Sequence, residues 1–94
     1  MRFVWDEQKN RRNQRKHKVS FESAALVFDD PRALSIQDRS VEGEERWQTL
    51  GRVGDLVILL VAHTWREENG DETIRIISAR KATPRERRIY EEDQ

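Results

Sequence analysis

The chain has 94 residues, of which 38% are charged and 35% hydrophobic, and its formal net charge is zero at pH 7. This length suits one modest core, so residues 1–94 are expected to form a single domain. The chain has no cysteine, which excludes disulfides, a thiol nucleophile and cysteine-ligated metal sites. The longest apolar run, residues 56–62, is too short to span a bilayer, and charged residues follow Trp5 at once. Neither a membrane helix nor a signal peptide is predicted, and a cytoplasmic location is expected.

The N-terminal third predicts one strand and two helices. Residues 2–5 have the composition of a short strand, and Asp6 can cap a helix that runs to about His17. Every residue of that helix is polar or charged, so it has no apolar stripe to bury. Ser20 can cap a second helix through about Asp29, in which apolar residues recur at helical spacing. A proline two residues later ends this helix.

The remainder predicts a meander of antiparallel strands followed by a helix. A charged loop is expected over residues 38–45. Thr83 opens the last helix, with a proline after it and a glutamate three residues on, and this helix runs to about Tyr90. Turns are expected at residues 54–55 and 67–71, and strands at residues 33–36 (weakly), 46–53, 56–66 and 72–79. The expected fold is α+β, with an antiparallel sheet of three to four main strands, two N-terminal helices and one C-terminal helix.

The zero net charge hides a segregated pattern. Residues 1–20 carry seven Lys/Arg against two Asp/Glu, residues 21–74 five against twelve, and residues 75–90 six against one. If the fold brings the two basic ends together, they form a cationic face for a polyanion such as RNA or for an acidic partner. Neutralisation of the acidic middle by the basic ends within the fold is an equally good interpretation.

Three polar residues of the first predicted helix form a candidate site. Lys9, Asn13 and His17 follow one another at intervals of four, which places them along one side of a helix. A ribonuclease without a metal needs a base for the ribose 2′-hydroxyl, cations for the phosphate oxygens and an acid for the leaving oxygen. His17 can act as acid or base, Lys9 can bind phosphate, and Asn13 can orient either. A solvated helix face explains the same spacing equally well.

The strand arginines are a second set of candidates. Arg46 and Arg52 are six positions apart and share a face of a regular strand. Arg80 ends its strand beside another cation, which suits a phosphate contact, whereas Arg75 can pair with a carboxylate such as Glu45. Because arginine binds phosphate and carboxylate equally well, these residues do not discriminate RNA binding from internal salt bridges.

Other side chains favour structural interpretations. Trp47 and Trp65 could stack on bases, but packing is the favoured interpretation in a domain with so lean a core. His63 lies in an apolar strand and is expected to be a buried, hydrogen-bonded histidine. Because His17 and His63 lack metal-ligand spacing and no glycine-rich phosphate loop is present, no metal site and no cofactor are predicted.

Two runs of signature residues lie in order along the chain, over residues 5–21 and 75–90. Through these runs, which match an opening and a closing signature, the sequence resembles the BrnT family of toxins over nearly its whole length. The family usually has glycine after its lysine–histidine pair, where this chain has Lys18, so the lysine must accept a left-handed backbone or a different turn. The matching positions are Trp5, Asp6, Lys9, Asn13, Lys16, His17, Val19, Phe21, residues 27–30, Glu45, Arg46, Gly51, residues 75–83, Glu86, Arg87 and Tyr90.

This resemblance implies a RelE-like fold and RNA cleavage that inhibits translation. It also implies a BrnA-type ribbon–helix–helix antitoxin as partner, which blocks the toxin and carries the pair to its operator DNA. Lys9, His17 and Arg80 are expected to act in chemistry or phosphate binding. Residues expected to bind RNA or to support the site are Asn13, Arg46, Arg52, Arg75 and Lys81.

Two further hypotheses stay open. The basic ends and the absence of a familiar catalytic triad also suit a non-catalytic binding module that acts with a DNA-binding partner in autorepression. A degenerate toxin that has lost its activity is the third possibility.

Overall fold

The computed structural model describes residues 1–93, which form one five-stranded sheet, three α-helices and a short 3-10 helix. None of the helices in this range is long and apolar enough to cross a membrane. In chain order the elements are β1 (Arg2–Val4), α1 (Glu7–His17), α2 (Phe21–Ala25), the 3-10 helix (Leu26–Asp29), β2 (Leu34–Val41), β3 (Glu44–Val53), β4 (Val57–Glu68), β5 (Asp71–Lys81) and α3 (Pro84–Glu92).

The sheet is mixed, which corrects the expected antiparallel sheet of three to four strands. Its order is β1-β5-β4-β3-β2, and the four strands from β2 to β5 form an antiparallel meander. β1 adds a fifth strand and pairs with β5 in parallel, with Arg2 opposite Thr73 and Val4 opposite Arg75. A parallel partner lies far away in sequence and needs no local turn, so the periodicity that predicted the meander gave no sign of this pairing.

The predicted charged loop over residues 38–45 is also wrong. β2 runs through Val41, and only Glu42 and Gly43 form the turn to β3, with φ of 52° and 79°. Two residues with positive φ match the right-handed twist of a tight hairpin. Asp38 and Arg39 belong to β2, the edge strand of the sheet, where charge protects against pairing with other chains, and Glu44 and Glu45 begin β3.

The second predicted helix changes its geometry half-way along. Ser20 caps it as expected, accepting a hydrogen bond from the Ser23 backbone N–H at 3.0 Å, but the α-helix ends at Ala25 and continues as the 3-10 helix. Val27 in that segment packs on Gly51 of β3. A Cβ at Gly51 would lie 2.5 Å from Val27 Cγ1, so only glycine lets the backbones approach this closely.

Lys18 ends α1 in the left-handed backbone conformation, the first of the two alternatives expected from the sequence. Its φ and ψ are 61° and 26°, and its backbone N–H donates to the Gln14 carbonyl at 2.9 Å. This is the conformation that glycine would adopt without strain, and it costs other residues roughly 1–2 kcal/mol.

Each face of the sheet carries its own core. Val19 and the α2 segment pack on one face, around Val61, Ile74 and Ile76. α3 packs on one end of the opposite face, where Tyr90 meets Leu50, Ile58 and Leu60. We call this second side the α3 face.

His63 is part of the first core, as predicted. It is fully buried, and because its Nδ1 lies 3.1 Å from the Thr64 carbonyl, Nδ1 carries the proton. Its Nε2 then accepts from the Thr49 hydroxyl at 2.7 Å. Burial lowers the pKa of His63, and the bond to Thr64 only partly opposes this. His63 is therefore neutral at pH 7 and has no vacant ring nitrogen.

Candidate functional site

Asparagine side chains hold the polar helix α1 in place. Asp6 caps its first turn, accepting from the backbone N–H groups of Gln8 and Lys9 at 2.8 and 3.3 Å. The buried residues of α1 are Asn10 and Asn13. Asn10 Oδ1 accepts from a backbone N–H of α2 at 2.8 Å, which fixes the angle between the two helices. The helix therefore needs no apolar stripe, and its charged side chains stay available.

Asn13 attaches α1 to the free edge of β5. Its Nδ2 donates to the Ala79 carbonyl at 2.7 Å and to the Val19 carbonyl at 2.9 Å, while its Oδ1 accepts from the Ala79 N–H at 3.2 Å. β1 pairs with β5 only as far as Arg75, so the amide of Asn13 takes the place of a neighbouring strand beyond that point. Asn13 therefore positions α1 against β5.

The row of Lys9, Asn13 and His17 runs along the edge of β5. Lys9 lies beside Ile76 and Asn13 bonds to Ala79, so α1 and β5 run in the same direction. His17 follows one turn later and is half-buried, about 12 Å along the helix from Lys9. Within residues 1–93, the imidazole side chain of His17 forms no hydrogen bond and no ion pair.

Three of the predicted site residues converge on one groove. Lys9 of α1, Arg46 of β3 and Arg75 of β5 line a groove of about 230 Å³ at the β5 edge of the α3 face. A bulge shapes its floor, because Ile77 is the extra residue where the β4–β5 register shifts. We call this feature the cationic groove; its lining residues are Asp6, Lys9, Arg46, Arg75, Ile76 and Ile77.

Arg46 is the most enclosed cation of the cationic groove. Its residue is half-buried, and its Nε is buried without a hydrogen-bond partner within residues 1–93. A buried donor without a partner costs about 1–3 kcal/mol. The groove is lined by three cations and one carboxylate, and an anion bound there would satisfy this donor.

Arg75 is paired with Glu44 and not with Glu45, the carboxylate suggested by the sequence. Arg75 Nη2 donates to Glu44 Oε1, and Arg66 Nη2 donates to Glu44 Oε2 at 3.3 Å. Strand alternation places Glu44 and Arg46 on the same face and Glu45 on the other. Sequence reasoning missed Glu44, although its shared parity with Arg46 was a signal that could have identified it.

Arg80 lies outside the cationic groove. It is five residues from Arg75, or about 16 Å along the strand. Its Nη1 and Nη2 donate to the two carboxylate oxygens of Glu86 at 2.8 and 3.0 Å, joining β5 to the first turn of α3. The hydrogen bonds from Arg80 lower the pKa of Glu86 to about 2, helped by the backbone N–H of Thr83. Lys81 beside it is exposed, and strand alternation places the Arg80 and Lys81 side chains on opposite faces of the sheet. We call His17, Arg80 and Lys81, which lie at the C-terminal ends of α1 and β5, the second basic group.

Arg52 is placed in a third location. It shares the face of Arg46, but six residues separate them, or about 20 Å. The backbone N–H of Arg52 donates to Asp30 Oδ2 at 2.8 Å, and the Tyr90 hydroxyl donates to the same oxygen at 2.5 Å. Partial burial opposes ionisation of Asp30, but these bonds and a third from Arg32 N–H outweigh it and lower its pKa. Burial, followed by the bond to Asp30, raises the pKa of Tyr90. Arg52 therefore helps to fasten α3.

The two sheet tryptophans do not line the groove. Trp47 and Trp65 form an edge-to-face pair, with ring centroids 6.0 Å apart, on the face opposite Arg46. Trp65 Nε1 donates to Glu72 at 2.7 Å.

Within residues 1–93, no group of three or more His, Asp or Glu side chains is placed to hold a metal ion.

A family model and a solved structure match this chain, whereas no curated protein does. The crystal structure of the Brucella abortus ribonuclease toxin BrnT, at 1.1 Å resolution, is similar with a TM-score of 0.60 and 24% identity, covering 88% of this chain and 97% of that chain. The family model described as the ribonuclease toxin BrnT of type II toxin–antitoxin systems matches residues 5–86. The chain therefore belongs to the BrnT family of ribonuclease toxins of type II toxin–antitoxin systems.

Proposed function

We propose that this chain is an endoribonuclease that cleaves RNA in the cationic groove, by attack of a ribose 2′-hydroxyl and without a metal. The observation that carries the proposal is the convergence of Lys9, Arg46 and Arg75 from three separate elements, with the Arg46 Nε left unpaired. Cations spread across a helix and two strands need a fixed fold to meet, and their mutual repulsion falls when an anion lies between them.

The chemistry requires charge stabilisation above all. The attacked phosphate develops extra negative charge on its non-bridging oxygens, and donors that already point at those oxygens lower the barrier. Arg46 and Arg75 supply planar guanidinium groups that can each hold two oxygens, and Lys9 supplies a compact point charge. Together they provide the positive charge that a divalent ion supplies in other nucleases.

The second basic group extends this site along the β5 edge. His17, Arg80 and Lys81 lie beyond Asn13 at the far end of α1 and β5, so an RNA strand that follows this edge meets both groups. We propose that Arg80 and Lys81 contact flanking phosphates and that Asn13 acts by positioning α1. His17 remains a proposed proton donor or acceptor, for a phosphate bound at its own end of the edge.

A protein antitoxin completes the proposed function, because the family belongs to type II toxin–antitoxin systems. We propose that this partner is of the BrnA ribbon–helix–helix type, that it neutralises the toxin and that it carries the pair to operator DNA. We also propose that RNA cleavage by the free toxin inhibits translation and that the protein acts in the cytoplasm.

One observation favours a second candidate, a non-catalytic binding module. Arg75 and Arg80 already hold the carboxylates of Glu44 and Glu86, as arginines of a purely structural network do. In that case the basic edge binds a partner or nucleic acid without cleaving it.

The test is cleavage of a short defined single-stranded RNA by purified, antitoxin-free protein. Arg46→Gln is expected to lose about 10²- to 10³-fold in rate, since removal of one charge-stabilising group has effects of that size. Arg39→Gln, which removes an exposed arginine of β2, is the matched control and is expected to cleave normally. His17→Ala reports whether the second basic group takes part in the reaction. Intact RNA after incubation with folded wild-type protein would overturn the proposal and favour the binding module.

A further inference from the structure

The geometry points to Glu44 as the catalytic base of the cationic groove, a role that rests on the ribonuclease activity proposed above. Glu44 begins β3 and shares a face with Arg46 two residues later. Its side chain is 22% exposed, so solvent and a ligand can reach it while its position is fixed. No motif in the sequence singled it out.

Two arginines hold this carboxylate in place. Arg75 binds one oxygen and Arg66 binds the other, so each oxygen keeps a lone pair that can accept a further hydrogen bond. Glu44 is not itself a lining residue of the cationic groove, but its partner Arg75 is, so the Glu44 carboxylate lies one hydrogen bond behind the groove wall. A 2′-hydroxyl lies beside the phosphate it attacks, and a base must be within hydrogen-bond reach of that hydroxyl.

The alternative bases are less well placed. Asp6 also lines the groove, but its carboxylate caps the first turn of α1 through Oδ1. His17 is about 12 Å along α1 from Lys9 and belongs to the other end of the edge. Glu45 lies on the opposite face of β3.

The reaction balances with side chains of this chain alone. A Glu44 oxygen takes the proton of the 2′-hydroxyl while the O2′–P bond forms. The P–O5′ bond breaks, and the leaving O5′ takes a proton from the Lys9 ammonium group. The products are a 2′,3′-cyclic phosphate and a 5′-hydroxyl. A proton passing from the Glu44 carboxyl group to the Lys9 amine, directly or through water, restores the starting state.

The experiment compares Glu44→Gln with Glu45→Gln, adjacent residues on opposite faces of the same strand. The readouts are kcat, KM and the pH dependence of kcat/KM on a defined single-stranded RNA, with thermal melting to verify folding. Glu44→Gln is expected to lower kcat by about 10²- to 10⁴-fold, the usual contribution of a general base. KM should stay equal or fall, because Arg75 no longer binds a competing carboxylate. The acid limb of the pH profile should disappear in Glu44→Gln and persist in Glu45→Gln.

Equal kcat in wild type and folded Glu44→Gln would overturn the assignment while leaving the proposed function intact. A raised KM with unchanged kcat would also overturn it, because it would show that Glu44 only positions Arg75. If Glu44→Gln does not fold, Glu44→Asp decides: partial activity with a retained acid limb supports a base, and full activity or loss of that limb refutes it. Wild-type protein that leaves RNA intact would instead remove the proposed function itself.

Discussion

Replacing Asn13 by alanine should destabilise the protein more than replacing any charged residue of α1. The substitution removes three hydrogen bonds and leaves the Ala79 N–H, the Ala79 carbonyl and the Val19 carbonyl without their side-chain partner. Each buried polar group left unpaired costs roughly 1–3 kcal/mol, but water can reach some of them at a sheet edge. Alanine recovers up to about 0.7 kcal/mol through its higher helix propensity. The expected net loss in the free energy of unfolding is therefore about 2–4 kcal/mol.

Urea denaturation followed by tryptophan fluorescence measures this loss directly. Gln14→Ala is the matched control, because Gln14 is the exposed neighbour on the same helix, and it should change the free energy of unfolding by less than about 0.5 kcal/mol. In thermal melting the loss for Asn13→Ala corresponds to a drop of roughly 10–25 °C for a domain of this size. A change below about 1 kcal/mol for Asn13→Ala would refute the view that this amide replaces a missing strand.

Two further changes test other parts of the fold. Lys18→Gly should raise the free energy of unfolding by about 1 kcal/mol, because glycine adopts the left-handed conformation at that position without strain, and a destabilised variant in urea denaturation would contradict this. Glu86→Gln should cost about 1–2 kcal/mol at pH 7, allowing for the solvent screening of Arg80, which is 38% exposed. Because folding lowers the pKa of Glu86 from its ordinary 4.5 to about 2, its contribution is complete above pH 4.5 and fades as the pH falls towards 2. The difference in stability between wild type and Glu86→Gln should therefore vanish at about pH 2, and a difference independent of pH would contradict the pairing with Arg80.

Local signals made much of the fold predictable. The caps at Asp6 and Thr83 are confirmed, and the capping box of α3 is complete, because Thr83 and Glu86 each bond to the other's backbone N–H. Asn69 and Gly70 form the predicted β4–β5 turn with positive φ. Each of these features depends on residues only a few positions apart, so the local sequence pattern predicts it. The resemblance to BrnT toxins is confirmed by the family match.

The incorrect predictions about the fold involve contacts between segments that are distant in the chain. Parallel pairing of β1 with β5 joins segments about seventy residues apart in the chain, and no local pattern encodes it. The strand over most of the predicted loop depends on pairing with β3, which outweighs a composition typical of loops. The change to 3-10 geometry after Ala25 accompanies the close approach of Val27 to Gly51, a contact between distant segments.

The candidate site, like the fold, could be predicted from the sequence only in part. The chemistry of Lys9, Arg46 and Arg75 could be read from the sequence, but their meeting in one groove depends on the order of strands in the sheet. Arg80 has the same chemistry and lies elsewhere, bound to Glu86. Which of these residues act in catalysis stays a prediction.

Cleavage of a defined RNA by purified, antitoxin-free wild-type protein in excess chelator tests the central claim most directly. The substrate is compared with the same RNA carrying 2′-deoxyribose at the cleavage position, and the product termini are identified. We predict chelator-resistant cleavage that leaves a 2′,3′-cyclic phosphate and a 5′-hydroxyl, and no cleavage at the deoxy position. Intact RNA in the presence of folded protein, or cleavage that stops when divalent ions are removed, would contradict a metal-free ribonuclease acting through the cationic groove.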